Sequence, residues 1–175
     1  RSDLFFYKPE ADNFARIPIL TEKEKENPIN LTKLCLVPDW GILVGTDRAG
    51  LKFYDRHNRK TETVIPDIQV RDIKQCSENT YWIASESGVY ILNMADRSIT
   101  HLQKSLTNEY TISDNAAYSI TKDREGGIWV TTFFGGINYL PKEYVPFKYF
   151  IGGKTHPGMP GNAVREICPD RYGNL

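Results

Sequence analysis

Apolar and β-branched residues come in short runs along this chain, and turn-forming residues close each run. The stretch from Asp123 to Leu140 shows the pattern best. Asp123 to Gly127 is turn chemistry, because Asp can bond its own backbone and Gly takes a positive φ. Ile128 to Thr132 is β-branched and aromatic, with few helix formers. Gly135-Gly136 punctuates again, and Ile137-Asn138-Tyr139-Leu140 resumes an apolar strand. The same reading predicts strands near 3–7 and 14–19, then near 33–37, 42–46, 50–54 and 62–65. Further strands are predicted near 69–75, 80–84, 88–92 and 98–102, and near 116–121, 127–132, 136–140 and 147–150. Turns fall at Pro38-Asp39-Trp40-Gly41, Ser77-Glu78-Asn79 and Glu86-Ser87-Gly88. Thr21 to Lys33 reads as a solvated connector with room for a helical turn, Gln103 to Asn115 as a longer polar linker, and 151–162 as a Gly- and Pro-rich loop. No long helix is predicted.

The runs repeat. Trp82 and Trp129 stand 47 residues apart, as do Ile73 and Ile120, Ile120 and Ile167, and Asn115-Ala116 and Asn162-Ala163. Leu4, Phe6 and Tyr7 match Leu51, Phe53 and Tyr54 at the same spacing. Another unit lies 39 residues before the second, with Leu34 matching Ile73 and Val44 matching Ile83. A period of roughly 40–50 residues with several short strands per unit points to a β-propeller. The predicted fold class is all-β: a propeller of four-stranded antiparallel blades, here about three complete blades plus two incomplete ones. Residues 1–20 would supply the outer strands of an incomplete blade, 30–66, 68–102 and 115–150 one blade each, and 162–175 the first strand of a further blade, all within one propeller domain. A blade cannot bury both faces alone, so neighbours must stack. Trp82, Trp129, Ile73, Ile120 and Ile167 are therefore assigned to the core between blades. Incomplete terminal blades leave sheet edges bare, which predicts self-association or a dimer.

Composition narrows the function. The 175 residues carry 22 basic and 22 acidic side chains, so no net charge attracts a polyanion and nucleic acid is disfavoured as a partner. Cys35, Cys76 and Cys168 form no CxxC pair and read as buried thiols. No apolar run approaches the ~18 residues needed to cross a membrane, so anchoring is expected only through regions outside these residues. His57, His101 and His156 fall in a turn, a strand end and a loop, without the spacing of a metal site. Gly152-Gly153-Lys154-Thr155 lacks the earlier glycine of a phosphate-binding loop. No catalytic residue, metal ligand or cofactor is assigned. Carboxylates scattered among the turns leave a propeller glycosidase or lyase as a minor alternative.

The pattern Asn115-x-x-Tyr118-Ser119-Ile120-x-x-Asp123-x-x-Gly126-x-Ile128-Trp129-Val130-x-Thr132-x-x-Gly135-Gly136-Ile137-Asn138-x-Leu140 resembles the two-component regulator propeller repeat. Asn162 to Leu175 is similar to the start of the next copy, while Cys76 and Leu43 depart from the pattern in the two earlier units. The resemblance implies a periplasmic sensor region of a hybrid two-component system or sensor histidine kinase, with membrane and kinase modules outside these residues. It implies a non-catalytic sensing module that responds to a glycan or oligosaccharide. A propeller used only as a scaffold for protein interactions is the alternative.

One face collects the candidate ligand contacts. The loops joining second and third strands bring Asp47-Arg48, Glu86-Ser87 and Phe133-Phe134 there, and the inner strands bring Arg71, Tyr118 and Arg165 at 47-residue spacing. Arg pairs with carboxylate or sulfate, and Tyr and Phe stack on sugar rings. Arg71, Tyr118, Arg165, Arg48, Phe133 and Phe134 therefore either contact an anionic or neutral oligosaccharide or simply cap the inner strands and bond neighbouring loops.

Overall fold

The computed structural model describes residues 3–108, 111–142 and 166–172. The chain divides into two units, Arg1–Lys142 and Glu143–Leu175. The first unit is all-β apart from two single 3₁₀ turns, Pro9–Ala11 and Glu24–Glu26. Its strands are β1 (Leu4–Lys8), β2 (Asn13–Ile17), β3 (Leu31–Val37), β4 (Gly41–Thr46), β5 (Leu51–Asp55), β6 (Lys60–Ile65), β7 (Val70–Gln75), β8 (Thr80–Ser85), β9 (Gly88–Asn93), β10 (Ile99–Leu102), β11 (Ala117–Lys122), β12 (Ile128–Thr132) and β13 (Ile137–Leu140). They form antiparallel meanders: β1–β2, β3–β4–β5–β6, β7–β8–β9–β10 and β11–β12–β13. β2 stops at Ile17 because Pro18 has no N–H to continue the ladder.

Alternation along each strand sends side chains to opposite faces, and the faces of successive sheets close over one another. On β8, Tyr81 and Ile83 join Leu43, Phe53 and Val37 of the preceding sheet in one core. Trp82 and Ala84, on the other face, join Ile112 of the connector before β11 and Ala117, Ile120, Ile128 and Val130 of the following sheet. Ile17, Ile19 and Val44 close the seam between β1–β2 and β3–β6. The buried charges are also structural. Lys52, only 2% exposed, bonds Thr63 Oγ1 at 2.8 Å and forms an ion pair with Glu24. Glu24 in turn accepts the N–H of Thr21 at 2.8 Å, so this pair pins the 3₁₀ turn of the charged connector onto β5. Burial raises the Glu24 pKa, but the hydrogen bonds from Lys52 and Thr21 outweigh it and leave the carboxyl below its usual range.

Three expectations about the core need correction. Ile73 and Ile120 are buried, and so is Trp82, but Trp129 is 40% exposed. Trp129 occupies the same place on β12 as Trp82 on β8, and no sheet lies over that face among the described residues. It stacks instead on Tyr139, with ring centroids 4.3 Å apart, and donates its indole N–H to Asp123 at 2.8 Å. Ile167 is 68% exposed and Cys168 is also exposed. Residues 166–172 form no strand, because no partner strand pairs with them among the described residues. Cys35 is half-buried, and Cys76 is buried, with burial pushing its thiol up to about 11. The predicted strand at 147–150, the loop at 151–162 and Arg165 lie outside the described residues.

Candidate ligand-binding face

The inner strands carry the site because each is bulged at the same place. Between Leu31 and Lys33, between Val70 and Asp72, and between Ala117 and Ser119, the ladder to the next strand slips by one residue. Thr32, Arg71 and Tyr118 are thus the extra residues, 39 and 47 positions apart. A bulge bends its strand and re-aims the side chain it leaves unpaired.

The turns opposite the bulges are built alike. Thr46, Ser85 and Thr132 each return a hydroxyl to a glycine carbonyl, those of Gly50 at 2.8 Å, Gly88 at 2.8 Å and Gly136 at 3.1 Å. The next residue of each turn donates its N–H back toward the inner strand: Asp47 to Asn30 at 3.1 Å, Glu86 to Gln69 at 3.4 Å, and Phe133 to Ala116 at 2.9 Å. Each of these three sheets therefore presents one bulge residue beside one anchored turn.

Two bulges and two turns meet in a row of stacked groups. The Arg71 guanidinium lies over the Tyr118 ring, 4.8 Å from its centroid. Tyr118 stacks on Phe133 at 5.5 Å with the planes 20° apart, and Phe133 meets Phe134 edge-on at 4.4 Å. Arg71 Nε donates to Glu86 at 2.8 Å, and Arg71 Nη2 bonds the same carboxylate oxygen. Beside Glu86 opens a cavity of about 440 Å³ lined by Asp47, Arg48, Asp67, Ile68, Gln69, Glu86 and Ser87. Asp114 accepts the N–H of Phe134 at 3.0 Å, and Ser113 packs so closely on Gly135 that a Cβ there would collide with it. The two phenylalanines are therefore held on a fixed turn, with Phe134 86% exposed. The two exposed rings are thus candidates for contact with a ligand.

The structure thus brings together Arg71, Tyr118, Phe133 and Phe134, and places Arg48 in the adjoining cavity. The sequence did not reveal Asp72, the residue after the Arg71 bulge. Its buried carboxylate accepts Lys33 Nζ at 2.8 Å, Ile73 N at 2.9 Å, Ile120 N at 3.0 Å and Ser119 Oγ at 3.2 Å. Lys33, Asp72 and Ser119 follow the three bulges in turn, so one acid ties three sheets together just behind the site. Their spacing of 39 and 47 residues was the available signal. A larger groove of about 770 Å³ flanks β1–β2 and includes Phe6, Ile17, Leu36 and Tyr54. It opens between the β1–β2 sheet and the β3–β6 sheet.

One segment of the chain matches a known family. Residues 111–134 match the family described as two component regulator propeller. The matched segment includes Tyr118, Phe133 and Phe134. The fold also resembles two crystal structures of the extracellular domain of BT4673 from B. thetaiotaomicron, one described as a candidate one component system and the other as a candidate hybrid two component system. Both give a TM-score of 0.66 at 17% identity, covering 79% of this chain and 18% and 19% of those chains. The extracellular domain of BT3049, a candidate hybrid two component system from the same organism, gives a TM-score of 0.46 at 18% identity, covering 99% of this chain and 29% of that one. At such identities the BT4673 likeness is one of fold, and this chain spans less than a fifth of those domains. No curated protein matches the sequence. No helix among the described residues is long and apolar enough to cross a membrane.

Proposed function

We propose that this chain is part of the extracytoplasmic sensing propeller of a hybrid two-component regulator. In this reading it meets a glycan or oligosaccharide in the periplasm and signals to a kinase domain outside these residues, without catalysing a reaction itself. The observation that carries the proposal is the position of the propeller repeat, residues 111–134, which itself supplies the Tyr118–Phe133–Phe134 row. The extracellular placement named for the BT4673 structures supports the compartment. Sheet edges and faces that no described residue covers support pairing of two copies or of neighbouring blades.

The test is calorimetric titration of the protein with oligosaccharides, followed by alanine at Arg71, Tyr118 and Arg165. Loss of affinity in folded variants is expected. Unchanged affinity in the triple variant places the site elsewhere. Release of shortened product from an incubated glycan would overturn the non-catalytic reading.

A further inference from the structure

Resting on the sensing role just proposed, we propose that the ligand of this face is an uncharged carbohydrate, stacked on Phe133 and Phe134, and not an acidic or sulfated one. The sequence alone left both open, because Arg71 and Arg48 can each hold a carboxylate or sulfate. The geometry distinguishes them.

Arg71 is already occupied. Two of its nitrogens bond Glu86 and its plane covers Tyr118, so an acidic sugar would have to displace Glu86 to reach it. The surroundings are acidic as well. Asp47, Asp67 and Glu86 line the adjoining cavity, and Asp114 sits at the N–H of Phe134, against the two cations Arg48 and Arg71. Among the described residues, these four carboxylates outnumber the two guanidiniums. Asp47 holds its charge: burial raises its pKa, but hydrogen bonds from Asn30 outweigh that and keep it below the usual carboxylate range. Asp114, beside Phe134, and Glu86, on Arg71, each oppose an anionic ligand that approaches them.

What remains available suits a neutral ring. Phe133 and Phe134 are 59% and 86% exposed on a turn fixed at both backbone N–H groups. Their flat faces need no charge in the partner, and the C–H face of a sugar ring supplies matching apolar area. Glu86, Ser87 and Gln69 around the cavity supply hydrogen-bond groups for hydroxyls.

The experiment is a glycan array carrying neutral oligosaccharides beside uronate-containing and sulfated ones, probed with the full chain. Binders are then titrated calorimetrically at low and high salt. Retention of neutral glycans is expected, with affinity unchanged by salt and weakened roughly tenfold by Phe134→Ala. Phe134 is exposed, so the variant should keep the wild-type melting temperature. Selective retention of acidic glycans, salt-sensitive and lost in Arg71→Ala, would overturn this proposal and leave the sensing role intact. Retention of no glycan at all would overturn the carbohydrate reading on which it rests.

Discussion

The carboxylate of Asp72 reaches across a seam between sheets to accept the backbone N–H of Ile120 at 3.0 Å. It has three further donors, Lys33 Nζ, Ile73 N and Ser119 Oγ, from three sheets. Replacing Asp72 by Ala should therefore cost about 2–4 kcal/mol at neutral pH, because buried donors are left without an acceptor. Burial pushes the Asp72 pKa up, but the hydrogen bonds from Lys33 and Ile120 prevail and hold it below the usual carboxylate value. A depressed folded-state pKa gives stability that is complete above the unfolded value and is lost as pH falls through the folded one. Urea midpoints measured from neutrality to below about pH 4 should thus fall less steeply in Asp72→Asn than in the wild type.

The buried Lys52 predicts a different pattern. Glu24→Ala removes its counter-charge and leaves only Thr63 Oγ1 as partner, which should cost about 3 kcal/mol. Lys52→Met removes the charge itself and fits the apolar surroundings. The double variant should then be more stable than Glu24→Ala alone. Equal stability of the two would show that Lys52 reaches water once Glu24 is gone. Urea unfolding of the four proteins in a double-mutant cycle makes the comparison.

Gly50 and Gly136 hold equivalent turn positions, both at φ +77. An alanine at Gly136 meets nothing, so only left-handed strain opposes it, about 1–2 kcal/mol. An alanine at Gly50 would also collide with the carbonyl of Ile65 and force the β5–β6 edge to move. Gly50→Ala should be the more damaging by a clear margin in thermal melts. Similar losses would mean that the Gly50 turn can shift freely.

Trp82 and Trp129 should now differ, though their sequence positions are equivalent. Trp82→Ala empties a filled seam and should cost about 3–5 kcal/mol. Trp129→Ala should cost clearly less, since 40% of the side chain faces solvent. Acrylamide should quench Trp129 readily and Trp82 poorly, which single-tryptophan variants would show.

The contrast between these tryptophans marks what could be read from the sequence. Apolar runs and turn residues located the thirteen described strands to within a few positions, because strand and turn chemistry is local. The spacings also aligned Arg71 with Tyr118, which proved to be bulge residues in contact. A repeat fixes where a residue sits within its own sheet. It does not say whether another sheet covers it, so Trp129 and Ile167 were placed inside and are found exposed. Asp72 was missed for a related reason. Its partners lie in two other repeats, and a polar residue on a strand reads as solvent-facing until its neighbours are known.

The longer spacing arises in the connector between β10 and β11, positions 103–116, against 66–69 between β6 and β7. Fourteen residues and four residues deliver the next inner strand to the same register, with the same bulge and the same anchored turn. Connector length is thus uncoupled from the fit of one sheet on the next. That makes the exposed positions Leu106 and Thr107 a splice point: a peptide tag or a reporter domain set there would extend a detour in the backbone while the row of Arg71, Tyr118 and Phe133 stays in place.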